Sequence, residues 1–134
     1  MRIDEIKLEN FRNYEALSLQ FDPHVNLIVG QNAQGKTNLL EAISFLGSGK
    51  SFRAQKTAEM IRFGADFADI EAEVFSQERQ QELRYLLFAS QRPRQIFRNG
   101  AKKKTAGEIA GLLKMLMQTH GNTFFMHESF DPNA

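Results

Sequence analysis

With 134 residues, 42% of them apolar and 25% charged, the chain has the size and composition of one folded domain rather than a disordered segment. It contains no cysteine, which excludes disulfide frameworks, thiol catalysis and Cys-based zinc sites. No apolar run approaches the ~18–20 residues of a bilayer span, charges occupy MRIDEIKLEN where a secretory signal would be apolar, and a cytoplasmic setting without membrane contact is expected.

The opening residues read as a β-hairpin. Ile6 and Leu8 alternate with Lys7 and Glu9, and Leu17, Leu19 and Phe21 alternate with Ser18 and Gln20, the period of two that half-buried strands require. Asp22-Pro23 breaks the second strand. Val25 to Val29 is short and mostly apolar, the pattern of a strand covered on both faces, and it runs straight into Gly30. From Lys36 the period changes: Leu39, Leu40, Ile43 and Leu46 fall at helical spacing, and Gly47 offers a stop.

Between that strand and that helix stands Gly30-Gln31-Asn32-Ala33-Gln34-Gly35-Lys36-Thr37, a full match to the phosphate-loop pattern G-x-x-x-x-G-K-[ST]. Gly30 and Gly35 permit backbone angles that turn successive N–H groups around an anion, and the positive end of the following helix points to the same place. Lys36 is placed to reach the β- and γ-phosphates, and the Thr37 hydroxyl to ligate Mg²⁺. At average composition the pattern arises by chance in roughly one chain of this length in two hundred, and here both flanking elements are the required ones. A GTPase would need N-K-x-D and D-x-x-G elements, and neither string is present. A small nucleotide kinase would enter the loop from its first strand, whereas here a full hairpin precedes it. The expectation is an ATP-binding head with an added antiparallel layer.

Further along, residues 56–63 suggest a short helix ending at Gly64. Ala68, Ile70, Ala72 and Val74 alternate with Asp69, Glu71 and Glu73 as a half-exposed strand, and Leu83 to Phe88 read as another. Asn99-Gly100 predicts a type I′ hairpin, whose two central positions both need positive φ. Thr105-Ala106-Gly107-Glu108 has the capping-box pattern and predicts a helix with Ile109, Leu112, Leu113, Leu116 and Met117 on its apolar face. Beyond about Thr119 no period is visible. The net charge of +1 conceals an asymmetry, because residues 79–104 hold eight Lys or Arg against Glu82 alone. Within that stretch Arg92, Arg94, Arg98, Lys102, Lys103 and Lys104 form either a surface for an anionic partner or a well-solvated hairpin.

Phe11-Arg12-Asn13-Tyr14 in the first hairpin, the run from Asn26 to Ile43, and Gly49-Lys50-Ser51-Phe52-Arg53 after the helix together resemble the RecF family of bacterial recombination-repair ATPases, related to SMC heads and ABC ATPases. Ile96 to Gly100 and the lysines that follow are similar to that family's second hairpin. The resemblance implies an α/β fold: the N-terminal half of a P-loop NTPase of the ABC/SMC-head kind, with added antiparallel β hairpins. It covers residues 1–114 as the N-terminal part of the head, with 115–134 as an unmatched segment. Members of the family continue for a further two hundred or so residues with the helical arm, signature motif, Walker B acid and catalytic glutamate, none of which is matched here. Phe124 to Glu128 is only superficially a Walker B strand, since His127 stands where the metal-binding acid would be. A truncated or frameshifted product is the expectation.

The resemblance also implies roles. ATP and Mg²⁺ would occupy residues Gly30 to Thr37, and Arg12 would reach the phosphates from the hairpin, its alternative being a surface ion pair with Glu9 or Glu15. Arg53 would approach phosphate or DNA, or else be a plain surface arginine. Phe11 and Tyr14 are read as core in preference to stacking on adenine. Arg94, Arg98, Lys102, Lys103 and Lys104 would bind DNA without reading sequence, each neutralised phosphate adding about −0.9 to the salt slope of log K. Family partners would be recombination mediator proteins and a second copy in an ATP-dependent homodimer, serving DNA repair, replication and the SOS response. ATP binding is expected, whereas turnover lacks its base. The alternatives are a nucleotide-independent basic DNA-binding module and a fragment with no function of its own.

Overall fold

The alternation at the start of the chain produces the expected hairpin. In the computed structural model, which describes residues 2–21, 26–29, 33–76, 78–105, 115–120 and 123–128, β1 (Arg2–Phe11) and β2 (Tyr14–Gln20) pair antiparallel. Ile6 stands opposite Leu19 and Leu8 opposite Leu17. A short strand, β3 (Asn26–Val29), and the helix α1 (Ala33–Ser48) follow. Next come β4 (Phe67–Ser76), β5 (Arg79–Phe88), β6 (Gln95–Arg98) and β7 (Ala101–Lys103). With β1 and β2 they build one six-stranded antiparallel sheet in the order β2-β1-β4-β5-β6-β7.

The period of two decides which sheet face is buried. Ile6 and Leu8, Ala68, Ile70, Ala72 and Val74, then Leu83, Tyr85 and Leu87 all point to one face and are buried there. Leu39, Leu40, Ile43, Phe45 and Leu46 of α1 join the same core, with the Phe45 ring edge-on to Tyr85 at a centroid distance of 4.8 Å. The opposite face carries Lys7, Glu71, Glu73, Glu82 and Arg84.

Asn99-Gly100 makes the predicted turn, with φ of 53° and 80°. The Asn99 side chain fixes it further by accepting the Glu82 N–H at 2.8 Å. The helix runs past Gly47 to Ser48. Its stop is Gly49, at φ 72°, whose N–H donates to the Phe45 carbonyl. The expected helix at 56–63 reduces to one 3₁₀ turn, Thr57–Met60, because Ile61 is drawn into a β-bridge with Phe11.

The C-terminal expectation is corrected. Residues 106–114 lie outside the described residues, and Leu116 and Met117, expected on a helix face, belong to strand β8 (Met115–His120). It pairs antiparallel with β9 (Thr123–Glu128), which pairs antiparallel with β3. Strand pairing overrides the helical period, and the missed signal is Gly121-Asn122, a hairpin dipeptide standing between the paired His120 and Thr123. The β3–β9 register sets Val29 opposite Thr123 and Asn26 opposite Met126, so the backbone of Glu128 stands at the end of β3 away from the phosphate loop. That is the wrong end for an acid on a nucleotide-bound metal.

Candidate functional site

Helix α1 follows the phosphate-loop strand and carries the site on one face. Gly30, Gln31 and Asn32 lie outside the described residues; Ala33, Gln34, Gly35 and Lys36 form the first turn of α1. Thr37, Asn38 and Glu41 come next. Residues three and four apart on a helix are neighbours, so Glu41 shares a face with Asn38 and Thr37.

Glu41 has no exposed surface. A carboxylate in that position is tolerable only if it is paired and hydrogen-bonded. Arg12 supplies a two-pronged pair, Nε to Oε1 and Nη2 to Oε2, both at 2.8 Å. Ser51 Oγ donates to Oε2 at 2.6 Å, and Arg53 Nη2 donates to Oε1 at 3.1 Å. Burial by itself would push the Glu41 pKa up; the hydrogen bonds from Arg12, Arg53 and Ser51 outweigh it and hold the carboxyl down at about 2. The bond to Glu41 raises Arg12 in turn, against its own burial.

The arrangement extends outward. Arg53 also donates to Asn38 Oδ1, and Asn38 Nδ2 donates to Asn13 Oδ1 at 2.7 Å. Ser51 shapes its own loop by accepting the N–H groups of Arg53 and Ala54 at 3.1 and 2.8 Å. Arg12 sits at φ 53°, a left-handed conformation that costs a residue with a Cβ about 1–2 kcal/mol. Its N–H donates to the Met60 carbonyl and its guanidinium is clamped by Glu41, which together over-determine the turn.

Above this cluster opens a cleft of about 570 Å³ bordered by Arg12, Asn13, Asn38, Arg53, Arg62 and Phe63. Among the described residues its rim holds three arginines against Glu59 alone, and the Phe63 side chain is fully exposed. The groove on the outer sheet face has the opposite character, with Glu5, Glu71, Glu73 and Glu82 against Lys7 and Arg84. Burial and then the charge of Asp69 raise the Glu71 pKa there; the excess of glutamates makes this groove unfavourable to anions, whereas the arginine cleft attracts them.

The basic stretch divides. Arg94 donates to the Gly49 carbonyl at the end of α1, with its guanidinium 5.8 Å from the Phe45 ring centre and 5.9 Å from that of Tyr85. Arg98 donates to the buried Gln81 side chain at 2.8 Å, and Arg92 lies 4.3 Å over the Phe88 ring. Lys102 and Lys104 are exposed, and Lys103 is half-buried. The structure therefore brings Arg12 and Arg53 together on the phosphate-loop helix, while Arg98 and the lysines extend along the second hairpin. Phe11 is core, and Tyr14 packs half-buried against it.

Arg12 pairs with Glu41, a partner other than the Glu9 or Glu15 considered from sequence. Sequence reasoning missed Glu41, Asn38, Ser51 and Asn13. A signal existed for the first of them, since Glu41 is an acid at a core-facing helical position between Leu40 and Ala42.

The comparisons with known proteins agree with this fold. The family model described as "RecF/RecN/SMC N terminal domain" matches residues 2–120. The protein named DNA replication and repair protein RecF from Lactobacillus gasseri is 43% identical over 115 residues, covering 84% of this chain and 31% of its own length. The RecF of Bacillus thuringiensis is 39% identical over 117 residues, covering 87% and 31%. The chain thus spans about a third of the length of these curated relatives. Among solved structures, a recombination mediator protein RecF with ATP superposes with a TM-score of 0.76 at 36% identity, covering 84% of this chain and 31% of that one. The SMC head domain from Thermotoga maritima shares the fold, with a TM-score of 0.68 at 21% identity over 85% of this chain and 43% of that one. A P-loop motif that follows β3 and runs into α1, an antiparallel layer ahead of it and this likeness to RecF proteins make the chain a member of the RecF/RecN/SMC N-terminal domain family.

Proposed function

We propose that this chain is the ATP-binding part of a RecF-like DNA repair and replication protein, and that it binds DNA in an ATP-dependent, sequence-independent way. The observation that carries the reading is the convergence of Arg12 and Arg53 on the P-loop helix, where buried Glu41 holds both beside an anion-attracting cleft. The residue types of the motif and the two arginines support this reading. Residues Gly30 to Thr37 would hold the phosphates of ATP, Lys36 among them, and the Thr37 hydroxyl would hold Mg²⁺. A guanidinium has five N–H donors, and Arg12 uses only its Nε and one Nη on Glu41. The remainder serve the phosphates.

Bound Mg²⁺ would neutralise phosphate charge; everything else is positioning by this chain. The exposed Phe63 beside the cleft offers a flat apolar face to a base. Arg53, Arg94, Arg98 and Lys102 to Lys104 would meet DNA phosphates, and nothing among them has base-reading geometry. Recombination mediator proteins, a homodimeric partner, service to the SOS response and a cytoplasmic site complete the proposal.

A DNA retention assay on the chain, with and without Mg·ATP, tests it. Lys36→Ala should abolish the ATP-dependent fraction. Lys102–Lys104→Glu should lower both the affinity and the salt slope, the slope by about 0.9 for each phosphate no longer neutralised. If Lys102–Lys104→Glu removes binding while Lys36→Ala leaves it untouched, the chain is instead a nucleotide-independent DNA module.

A further inference from the structure

From the buried carboxylate cluster we infer that Glu41 is a positioning residue that makes Arg12 and Arg53 act as one unit on the phosphate chain of a nucleoside triphosphate. The inference rests on the reading of residues 30–37 as an ATP site. The two arginines come from separate loops, the β1–β2 turn and the segment after α1, and Glu41 bridges them. Its two oxygens are divided between them. Oε1 takes Arg12 Nε and Arg53 Nη2, while Oε2 takes Arg12 Nη2 and the Ser51 hydroxyl.

Glu41 lies four residues, or about 6 Å of helix rise, beyond Thr37 on the same helix face. Both guanidinium forks are therefore anchored about one turn beyond Thr37, the last residue of the P-loop motif. The anchor cannot be given up cheaply, because a carboxylate with no exposed surface would be left buried and uncompensated. Ligand phosphates accordingly meet arginines already oriented, using donors that Glu41 does not occupy. The left-handed backbone at Arg12 belongs to the same device, since strain of that kind persists only where the surroundings impose it. Among the described residues, the titratable groups facing Glu41 are Arg12 and Arg53, with Glu59 close enough to Arg12 to add to its field.

The test measures Mg·ATP affinity of the full chain by equilibrium fluorescence, in a cycle of Glu41→Gln, Arg12→Ala with Arg53→Ala, and all three together. Glu41→Gln should weaken binding about tenfold alone and cause no further loss once both arginines are gone, the signature of a residue acting through them. An undiminished loss in the arginine-free background, or no loss in either, overturns the inference. Lys36→Ala separates this from the underlying reading. Nucleotide binding that is absent or indifferent to Lys36→Ala defeats the ATP site itself, whereas Lys36-dependent binding unaffected by Glu41→Gln defeats only the role of Glu41. Should Glu41→Gln not fold, Arg12→Lys keeps the charge and removes the fork. It should lose as much affinity as Arg12→Ala, and wild-type affinity in Arg12→Lys contradicts the account.

Discussion

Glu41 occupies a position where leucine would be the ordinary choice, between Leu40 and Ala42 on a core-facing helix surface. What makes it tolerable also makes stability depend on pH. The carboxyl is held at about 2 against an ordinary 4.5, so as pH falls the unfolded chain takes up its proton first. Stability from this group is complete above about pH 5 and is lost as pH drops through 4.5 toward 2, a contribution of roughly 3 kcal/mol. Urea midpoints measured from pH 7 to pH 2 should show a steep acid limb in the wild type. Glu41→Gln should start lower and fall less over that window, whereas parallel curves would mean that the arginines do not hold the charge. Arg12 stood out in the sequence through its motif, but its partner did not. An ion pair between residues far apart in sequence is invisible to local spacing, and the buried acid was the only clue.

At the scale of elements, the strongest local signals carried through. The alternation in β1 and β4 predicted both strands and buried face, and Asn99-Gly100 predicted its turn down to the sign of φ. Where the reading failed, a tertiary partner decided the outcome. Residues 115–120 have apolar spacing compatible with either helix or strand, and pairing with β9 made them a strand. The packing of α1 on the sheet contains one unfavourable group, because the Tyr85 hydroxyl is buried with no hydrogen-bond partner among the described residues. Burial pushes its pKa up to about 12, with the charge of Arg94 opposing. Tyr85→Phe keeps the edge-on packing with Phe45 and removes the orphan, so it should be neutral or stabilise by up to about 1 kcal/mol. It should also remove the loss of stability between pH 10 and 12, where unfolded tyrosine ionises before the buried one. A loss of more than about 2 kcal/mol in a denaturant titration would reveal a hydrogen bond that the packing conceals.

For the whole molecule, the two antiparallel hairpins and the strand-loop-helix unit were readable because each is encoded within a short stretch of chain. Their assembly was not, since the six-stranded order brings β1 beside β4 across more than fifty intervening residues. That closure is what sets Phe11-Arg12-Asn13-Tyr14 against α1 and lets three separated motifs meet at Glu41. No helix among the described residues is long and apolar enough to cross a membrane. The charges divide instead into an anion-attracting cleft, an acidic outer groove and a basic second hairpin. The central claim is that the P-loop half of this architecture binds ATP, and a thermal melt of the chain with and without Mg·ATP, beside Lys36→Ala, tests it most directly. At a hundredfold excess over Kd the nucleotide should stabilise the fold by about 2.7 kcal/mol, a rise in Tm on the order of 10 °C that Lys36→Ala abolishes. A cooperative melt that Mg·ATP leaves unmoved, or moves equally in Lys36→Ala, would contradict the account.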